Sequence, residues 1–174
     1  MNIREENGEI FVEDISECQV GSLEQAMKIV NAGLMHREMG SHQMNETSSR
    51  SHTLLHIDVY QTRRTEQTNK IEHIHGRLVL ADLAGSERVR KTTSTGIRLE
   101  EAKHINSSLS ALGNVISSLA NPRKNGQQFI PYRSSKLTRV LTNSLNYESK
   151  VVVLATLGPA KSSFHESLST MQFA

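Results

Sequence analysis

The 174-residue chain has no tryptophan, a single cysteine and only three prolines, and aromatic residues make up 4% of it. A folded core must therefore be built mainly from aliphatic side chains. Cys18 has no partner for an internal disulfide, which favours a reducing compartment. No apolar run approaches the roughly eighteen residues that cross a bilayer, and no basic-then-apolar leader opens the sequence. These absences argue against a membrane protein and favour one cytosolic domain.

A phosphate-binding loop is missing as well. Such a loop places two glycines around four residues, the second followed by Lys and then by Ser or Thr. None of the ten glycines of this chain is followed by lysine. The sequence on its own therefore lacks the usual means of holding the phosphates of a nucleoside triphosphate.

Charge is unevenly distributed along the chain. Residues 88–147 carry ten basic and two acidic residues, a net charge of +8, whereas the remainder carries a net charge of −6. The asymmetry predicts one face suited to an acidic partner, and the alternative is an ordinary solvated basic surface. Nucleic acid is a weaker candidate for the partner, because no aromatic residues alternate with the bases to stack on nucleotides.

Hydrophobic patterning predicts both strands and helices. Thr53–Tyr60 alternates, as a half-buried strand does, and Arg77–Asp82 and Val151–Leu157 are nearly continuous apolar runs, typical of central strands covered on both faces. We predict that Thr62–His75 is a long hairpin connection. A shorter pair of strands is expected at residues 3–5 and 10–12.

Four helices are expected among these strands. Ser22 with Gln25 suits a capping box at the start of the first. Apolar residues at three- and four-residue steps from Leu99 to Leu119 predict a helix of about twenty residues that ends near Asn121-Pro122. Further helices are predicted over Ser135–Leu145 and after Ser163. Strands interleaved with helices indicate an α/β fold.

The chain begins next to a predicted strand and ends inside a predicted helix, and three core strands make a narrow sheet. We therefore expect residues 1–174 to be one incomplete domain. Either it is a piece of a larger domain, or another chain completes it.

Two polar motifs carry the chemistry. Asn45-Glu-Thr-Ser-Ser-Arg-Ser-His52 is Ser-rich, and Asp82-Leu-Ala-Gly-Ser-Glu87 follows an apolar run. A carboxylate at the end of a buried strand can hold Mg²⁺, and a nearby glycine leaves its N–H free to approach a γ-phosphate. Each signal alone is weak, since a buried Asp or a Ser-rich loop is more often structural.

Together these motifs resemble switch I and switch II of kinesin motor domains. The resemblance continues through Glu101-Ala-Lys-His-Ile-Asn-Ser-Ser-Leu and Ile130-Pro-Tyr-Arg-Ser-Ser-Lys-Leu-Thr-Arg139 to Glu166-Ser-Leu-Ser-Thr-Met-Gln-Phe-Ala174. It spans nearly the whole chain in the order of the family. It implies the C-terminal portion of a motor domain with a partial P-loop NTPase fold, without the P-loop half and the neck linker.

The resemblance implies ATP and Mg²⁺ as ligands and assigns roles to individual positions. Ser49 would contact Mg²⁺ and the γ-phosphate with help from Ser48, and Asp82 would hold the metal through water. Gly85 would sense the γ-phosphate. The remaining catalytic residues, Arg50 and Glu87, would form an ion pair between the two switches.

The same resemblance implies microtubules as the partner and the microtubule cytoskeleton of the cytoplasm as the location. Glu101 and Asn106 would couple switch closure to a tubulin-binding face. That face would carry five of the basic residues: Lys91, Lys103, Arg133, Lys136 and Arg139. These lie in the basic segment that charge counting finds independently.

Three functions compete. The first is part of a microtubule-dependent motor ATPase that turns over no ATP by itself, because the P-loop is absent. The second is a non-catalytic microtubule-binding or regulatory module that has lost its P-loop; Arg50 together with Glu87 favours the first. A small GTPase-like switch is poorer, since nothing resembles a guanine-reading Asn-Lys-x-Asp.

Overall fold

The computed structural model describes residues 1–44, 51–65, 70–85, 97–121 and 129–173. Side chains are described for 1–37, 51–64, 70–85, 106–121 and 129–173. In chain order the elements are β1 (Ile3–Glu6), β2 (Glu9–Val12), α1 (Leu23–Met44), β3 (Thr53–Thr65), β4 (Lys70–Asp82), α2 (Ile97–Ala120), α3 (Lys136–Val140) and α4 (Phe164–Phe173). Among these helices none has the length and apolar character needed to span a bilayer.

Strands β1 and β2 form a tight antiparallel hairpin, as predicted from the sequence. Its two-residue turn is Asn7-Gly8, and both residues have positive φ, 52° and 83°. A two-residue turn of this kind matches the natural twist of the strands, and asparagine and glycine tolerate the left-handed backbone it needs. Arg4 Nη2 donates to Glu13 Oε1 at 3.0 Å and holds the following residues against β1.

Helix α1 begins where its capping residues predict. The Gln25 N–H donates to Ser22 Oγ at 3.2 Å, while the Gln25 side-chain oxygen accepts from the Gly21 N–H at 2.8 Å. The second bond reaches one residue further back than in the usual capping box. Both bonds satisfy backbone donors that the first turn of a helix leaves unpaired.

Strands β3 and β4 pair in antiparallel register over thirteen residues each, from Thr53 opposite Asp82 to Thr65 opposite Lys70. The prediction of a long connection over Thr62–His75 is wrong, because both strands continue through it. Within that stretch Thr62 Oγ1 lies 3.3 Å from His73 Nδ1 across the two strands. At its border Asp58 accepts from Arg77 Nε and bonds His75 Nε2, each at 2.7 Å. The Tyr60 ring stacks on His75 with centroids 4.5 Å apart.

The core lies where α2 meets α3 and one face of the β3–β4 hairpin. Its centre is Val115, which is fully buried, and Leu54 of β3 and Val79 of β4 pack against it. The other buried aliphatic residues of this cluster are Leu112, Leu137, Leu141 and Leu145. The predicted long helix is thus confirmed as α2, and its apolar stripe supplies the core.

The opposite face of the β3–β4 hairpin is open. Ile57, Val59, Leu78 and Leu80 are 40%, 58%, 53% and 51% exposed. The prediction that Arg77–Asp82 is a strand covered on both faces is therefore wrong: α2 covers only the face that contains Val79.

Two further predictions differ from the structure. Val151–Leu157 forms no strand, and in the described part of the chain the only sheets are β1–β2 and β3–β4. A buried central strand needs neighbours on both sides, which these sheets do not offer it. The helix predicted over Ser135–Leu145 begins correctly at its Ser135 cap but ends at Val140. Asn146 Oδ1 accepts from the Glu148 and Ser149 N–H groups at 2.9 Å, a turn that competes with helix.

Candidate functional site

The hairpin register brings the two polar motifs together. Because Thr53 lies opposite Asp82, residues just before β3 and just after β4 share one end of the hairpin. Ser51 and His52 from the first motif therefore lie beside Leu83, Ala84 and Gly85 from the second. The arrangement follows from strand pairing alone and creates one polar site out of two distant stretches of sequence.

Asp82 lies at the centre of this end of the β3–β4 hairpin. Its side chain is 69% exposed, and its Oδ2 lies 2.8 Å from Nη1 of Arg37, in the second half of α1. The Arg37 side chain is only 19% exposed. Its Nε donates to Ser51 Oγ at 3.3 Å and its Nη2 to the Ser51 carbonyl at 3.2 Å. Arg37 thus joins α1 to both motifs at once.

Sequence reasoning missed Arg37. A single arginine on a helix has no spacing relation to a carboxylate 45 residues later. Only the three-dimensional course of α1, which brings the Arg37 side chain to this end of the hairpin, puts the two groups together. The one available signal was its residue type, since arginine is the side chain best suited to bind a carboxylate and a carbonyl at once.

His52 connects the site to α2. The Ala84 N–H donates to His52 Nδ1 at 3.0 Å, and His52 Nε2 lies 2.8 Å from Ser108 Oγ. Burial lowers the pKa of His52 from its usual 6.5, and the nearby Asp82 charge opposes that shift. The ring is therefore held in its neutral form at neutral pH.

The predicted switch residues are only partly within the described structure. Asp82 and Gly85 lie at the end of the β3–β4 hairpin, and Gly85 is partly buried. The remaining switch residues, together with the first of the predicted tubulin contacts, lie outside the described residues: Ser48, Ser49, Arg50, Glu87 and Lys91.

Helix α2 carries both predicted coupling residues. Glu101 and Asn106 lie in its first half, and Asn106 is partly buried. Lys103 lies between them. The side chains of Glu101 and Lys103 are outside the described part, so their contacts stay predictions.

Three predicted tubulin-binding residues meet the N-terminal hairpin. Arg133 Nη2 lies 2.9 Å from Glu5 Oε2, Lys136 Nζ donates to the Met1 carbonyl at 3.1 Å, and Arg139 Nη2 donates to the Ile3 carbonyl at 3.3 Å. The Arg133 side chain is still 78% exposed. An exposed pair of this kind contributes little to stability, so Arg133 remains open to exchange for another acidic partner.

Comparison with known proteins places these features in a family. The model of the kinesin motor domain family matches residues 1–174. Kinesin-like protein KIF27 of Mus musculus is 42% identical over 181 residues, covering 100% of this chain and 13% of that protein. Kinesin-related protein 7 of Dictyostelium discoideum is 44% identical over 175 residues, covering 99% of this chain and 13% of that protein.

Solved structures agree. A structure described as a fast kinesin superimposes with a TM-score of 0.80 at 38% identity, covering 99% of this chain and 47% of that chain. The KIF14 motor, solved with ADP in complex with a microtubule, gives a TM-score of 0.80 at 36% identity, covering 99% of this chain and 48% of the other.

The chain thus spans about half the length of these solved chains and 13% of the curated relatives. The predicted fold class, a partial α/β domain of the P-loop NTPase type, is confirmed by these neighbours. The chain belongs to the kinesin family and matches its motor domain over residues 1–174.

Proposed function

We propose that this chain is the nucleotide-sensing and track-binding portion of a microtubule-dependent motor ATPase. The observation that supports the proposal is the register of Thr53 with Asp82, which brings Ser51 and His52, the last residues of the first motif, beside Asp82–Gly85 of the second. His52 then links the second motif to α2, the helix proposed to face tubulin. A motor needs such a physical connection between its phosphate site and its track.

The donor set suits Mg²⁺ and a triphosphate. Mg²⁺ prefers oxygen ligands and usually keeps several of its waters, and the exposed Asp82 carboxylate could accept hydrogen bonds from such waters. Asp82 would hold the ion through water, and Ser49, assisted by Ser48, would contact the ion and the γ-phosphate. Gly85 would present its backbone N–H. When bound, Mg-ATP supplies the phosphoryl group that is transferred to water.

The remaining switch and coupling residues have proposed roles of their own. Arg50 and Glu87 would pair when both switch segments close, and so help to position the attacking water. Glu101 and Asn106 would pass that closure along α2. This coupling is supported by the fact that α2 is one continuous helix from Ile97 to Ala120 and packs into the core.

The track-binding face is the basic segment. Tubulin would be contacted by Lys91, Lys103, Arg133, Lys136 and Arg139, and the exposure of Arg133 supports this for one of them. The related KIF14 motor was solved in complex with a microtubule, which supports the proposal that microtubules are the partner of this chain. A cytoplasmic location on the microtubule cytoskeleton follows from the same proposal.

A further polypeptide would cover the open side of the fold. The exposed face of β3–β4 adjoins no described element, and Val152 and Leu154 are 83% and 88% exposed. Apolar surface on this scale is normally buried. We propose that the P-loop half of a motor domain, in the same or another polypeptide, packs here and completes both the sheet and the nucleotide site.

Microtubule co-sedimentation tests the proposal. The chain is expected to pellet with microtubules, and Arg133→Glu with Lys136→Glu to weaken pelleting about ten-fold or more, because opposite charge reverses the attraction to acidic tubulin. Lys28→Glu and Lys70→Glu, which make the same charge change outside the basic segment, are the control. Equal loss in the control would remove the case for a specific face.

The effect of added Mg-ATP on microtubule co-sedimentation then distinguishes the two candidate functions. A motor portion completed by a P-loop half is expected to release from microtubules with Mg-ATP, whereas a non-catalytic binding module would pellet regardless of nucleotide. The chain alone is expected to show no ATP turnover above background. Turnover by the chain alone that Glu87→Ala abolishes would overturn this expectation.

A further inference from the structure

His52 occupies an unusual position between three elements. It directly precedes β3, its Nδ1 faces the backbone after β4, and its Nε2 faces the side of α2. The two ring nitrogens point to opposite partners. A rigid five-membered ring therefore fixes the separation between the Ala84 backbone and Ser108.

The backbone bond decides where the ring protons lie. A peptide N–H can only donate, so Nδ1 must be the unprotonated nitrogen when Ala84 binds it. The neutral ring then carries its proton on Nε2, which donates to Ser108 Oγ at 2.8 Å. Protonation of Nδ1 would remove the acceptor that Ala84 uses. Burial of His52, which lowers its pKa, keeps the required form.

The Ala84 side of the bond lies in a confined position. Ala84 is only 4% exposed, and Leu83 packs against the core cluster of α2 and α3. Ala84 directly precedes Gly85, whose N–H is proposed to approach the γ-phosphate. The orientation of the Ala84 peptide therefore influences the direction in which Gly85 presents its own N–H.

We propose that His52 is a positioning residue that ties the backbone of Leu83–Gly85 to α2, so that movement of either is transmitted to the other. This rests on the proposed function, in which Gly85 senses nucleotide and α2 binds the track. His52 itself contacts neither ligand. It acts by holding Ala84 and Ser108 at a fixed distance.

Two substitutions separate the two bonds. In His52→Asn the side-chain oxygen can occupy the place of Nδ1 and keep the Ala84 bond, but it cannot reach Ser108. In His52→Gln the amide can reach the place of Nε2 and keep the Ser108 contact, but it leaves the Ala84 N–H without its acceptor. Ser108→Ala removes the contact with His52 Nε2 and leaves the Ala84 bond in place, and the exposed Ser110→Ala is its matched control on the same helix.

The first measurement is deuterium uptake at the Ala84 amide in the free 174-residue chain. His52→Gln should speed exchange about two- to ten-fold, the effect of losing one neutral hydrogen bond. Unmodified chain, His52→Asn, Ser108→Ala and Ser110→Ala should agree within about two-fold. Equal exchange in His52→Gln and the unmodified chain would overturn the proposal.

The second measurement adds saturating microtubules. Track binding should slow exchange at Ala84 by about two-fold or more in the unmodified chain and in Ser110→Ala. The same addition should leave Ala84 unchanged in His52→Asn and Ser108→Ala, although both still pellet. A merely structural histidine would give the same microtubule response in all four, which would overturn the transmission role.

One measurement needs no variant and guards against misfolding of His52→Gln. Diethyl pyrocarbonate modifies an unprotonated ring nitrogen, and the Ala84 N–H shields that of His52. His52 should react several-fold more slowly than the exposed His165 of the same molecule. Equal rates would overturn the tie. Failure of the chain to pellet would instead overturn the proposed function. Deuterium exchange at Ala84 in the free chain would still test whether His52 binds the Ala84 backbone.

Discussion

The guanidinium Nη1 of Arg37 lies 2.8 Å from the carboxylate Oδ2 of Asp82 and joins the second half of α1 to the end of β4. The same guanidinium donates to the carbonyl of Ser51. Arg37 is largely buried, whereas Asp82 is largely exposed. The pair therefore connects α1 to the start of the second polar motif, while the Asp82 carboxylate stays accessible to solvent.

Removal of the Arg37 charge should destabilise the fold. Arg37→Gln loses the ion pair and the forked contact with Ser51, and we expect the free energy of unfolding to fall by about 1–3 kcal/mol. Arg37→Lys keeps the charge without the planar fork and should lose less. Urea unfolding measures both. Lys28→Gln is the control: its exposed pair with Glu24 contributes about 0.3–0.5 kcal/mol, and an Arg37→Gln effect of that size would contradict the account.

The same substitution at two glycines should act in opposite directions. A Cβ on Gly158 would lie 2.7 Å from Ser163 Cβ, so Gly158→Ala forces the turn before α4 to shift and should cost about 1–3 kcal/mol. A Cβ on Gly33, inside α1, meets nothing within 4 Å. Gly33→Ala should therefore stabilise by about 0.5–1 kcal/mol through better helix propensity. Thermal unfolding of the two variants checks the signs; a stabilising Gly158→Ala would be incompatible with this turn.

Acidification should destabilise the protein near pH 6. Burial lowers the pKa of His52, and burial together with the Arg77 charge lowers the pKa of His56, both from 6.5. The unfolded chain then binds protons more readily, so stability is complete above about pH 7 and falls as the pH drops through 6.5 and below. The Asp58 carboxyl does not contribute in this window, because the bond from Arg77 lowers its pKa from 3.8.

Urea unfolding at pH 7.5 and 5.5 measures this loss. The double variant His52→Gln with His56→Gln should show a smaller difference between the two pH values than the unmodified chain. His165→Gln, at an exposed position, should leave the difference unchanged. Greater stability at pH 5.5 than at 7.5 would reverse the expected sign.

The open face of β3–β4 should drive self-association. Ile57 and Leu78 lie opposite each other on it, and both are substantially exposed. Ile57→Lys with Leu78→Glu replaces apolar surface with an opposite-charge pair and should shift the chain towards monomer in sedimentation velocity. Leu23→Glu, at an exposed position on α1, should not. A monomeric, sharply melting unmodified chain would count against an unfinished sheet.

Local pattern predicted where the helices begin and the short β1–β2 pair, but it predicted neither the end of α3 nor the length of β3 and β4. The apolar repeat from Leu99 to Leu119 predicted α2 because the face it defines is the one that packs on Leu137 and Leu141. Strand length was underestimated because the polar residues of Thr62–Thr65 and Lys70–His75 have no strand pattern of their own and are held in the sheet by pairing with each other. Val151–Leu157 is not a strand because burial in a sheet depends on neighbouring strands rather than on its own composition.

The sequence predicted the two motifs of the site, but not the side-chain contacts of Arg37 and His52 that hold them in place. Asp82 and Gly85 follow from the resemblance, and the register places them beside the first motif. The role of Arg37 could not be predicted, since its contact with Asp82 depends on the three-dimensional course of α1. His52 belonged to the motif, but its link to Ala84 involves a backbone N–H that no sequence pattern reveals.

Titration calorimetry of Mg-ATP into the purified 174-residue chain, with no other polypeptide present, tests most directly whether these residues sense a triphosphate without holding it. Two serines and one glycine N–H must offset the ordering of two segments and the immobilisation of the ligand. We expect a Kd weaker than about 1 mM, equivalent to less than about 4 kcal/mol of binding free energy. Saturable micromolar binding that Asp82→Ala abolishes would contradict the account.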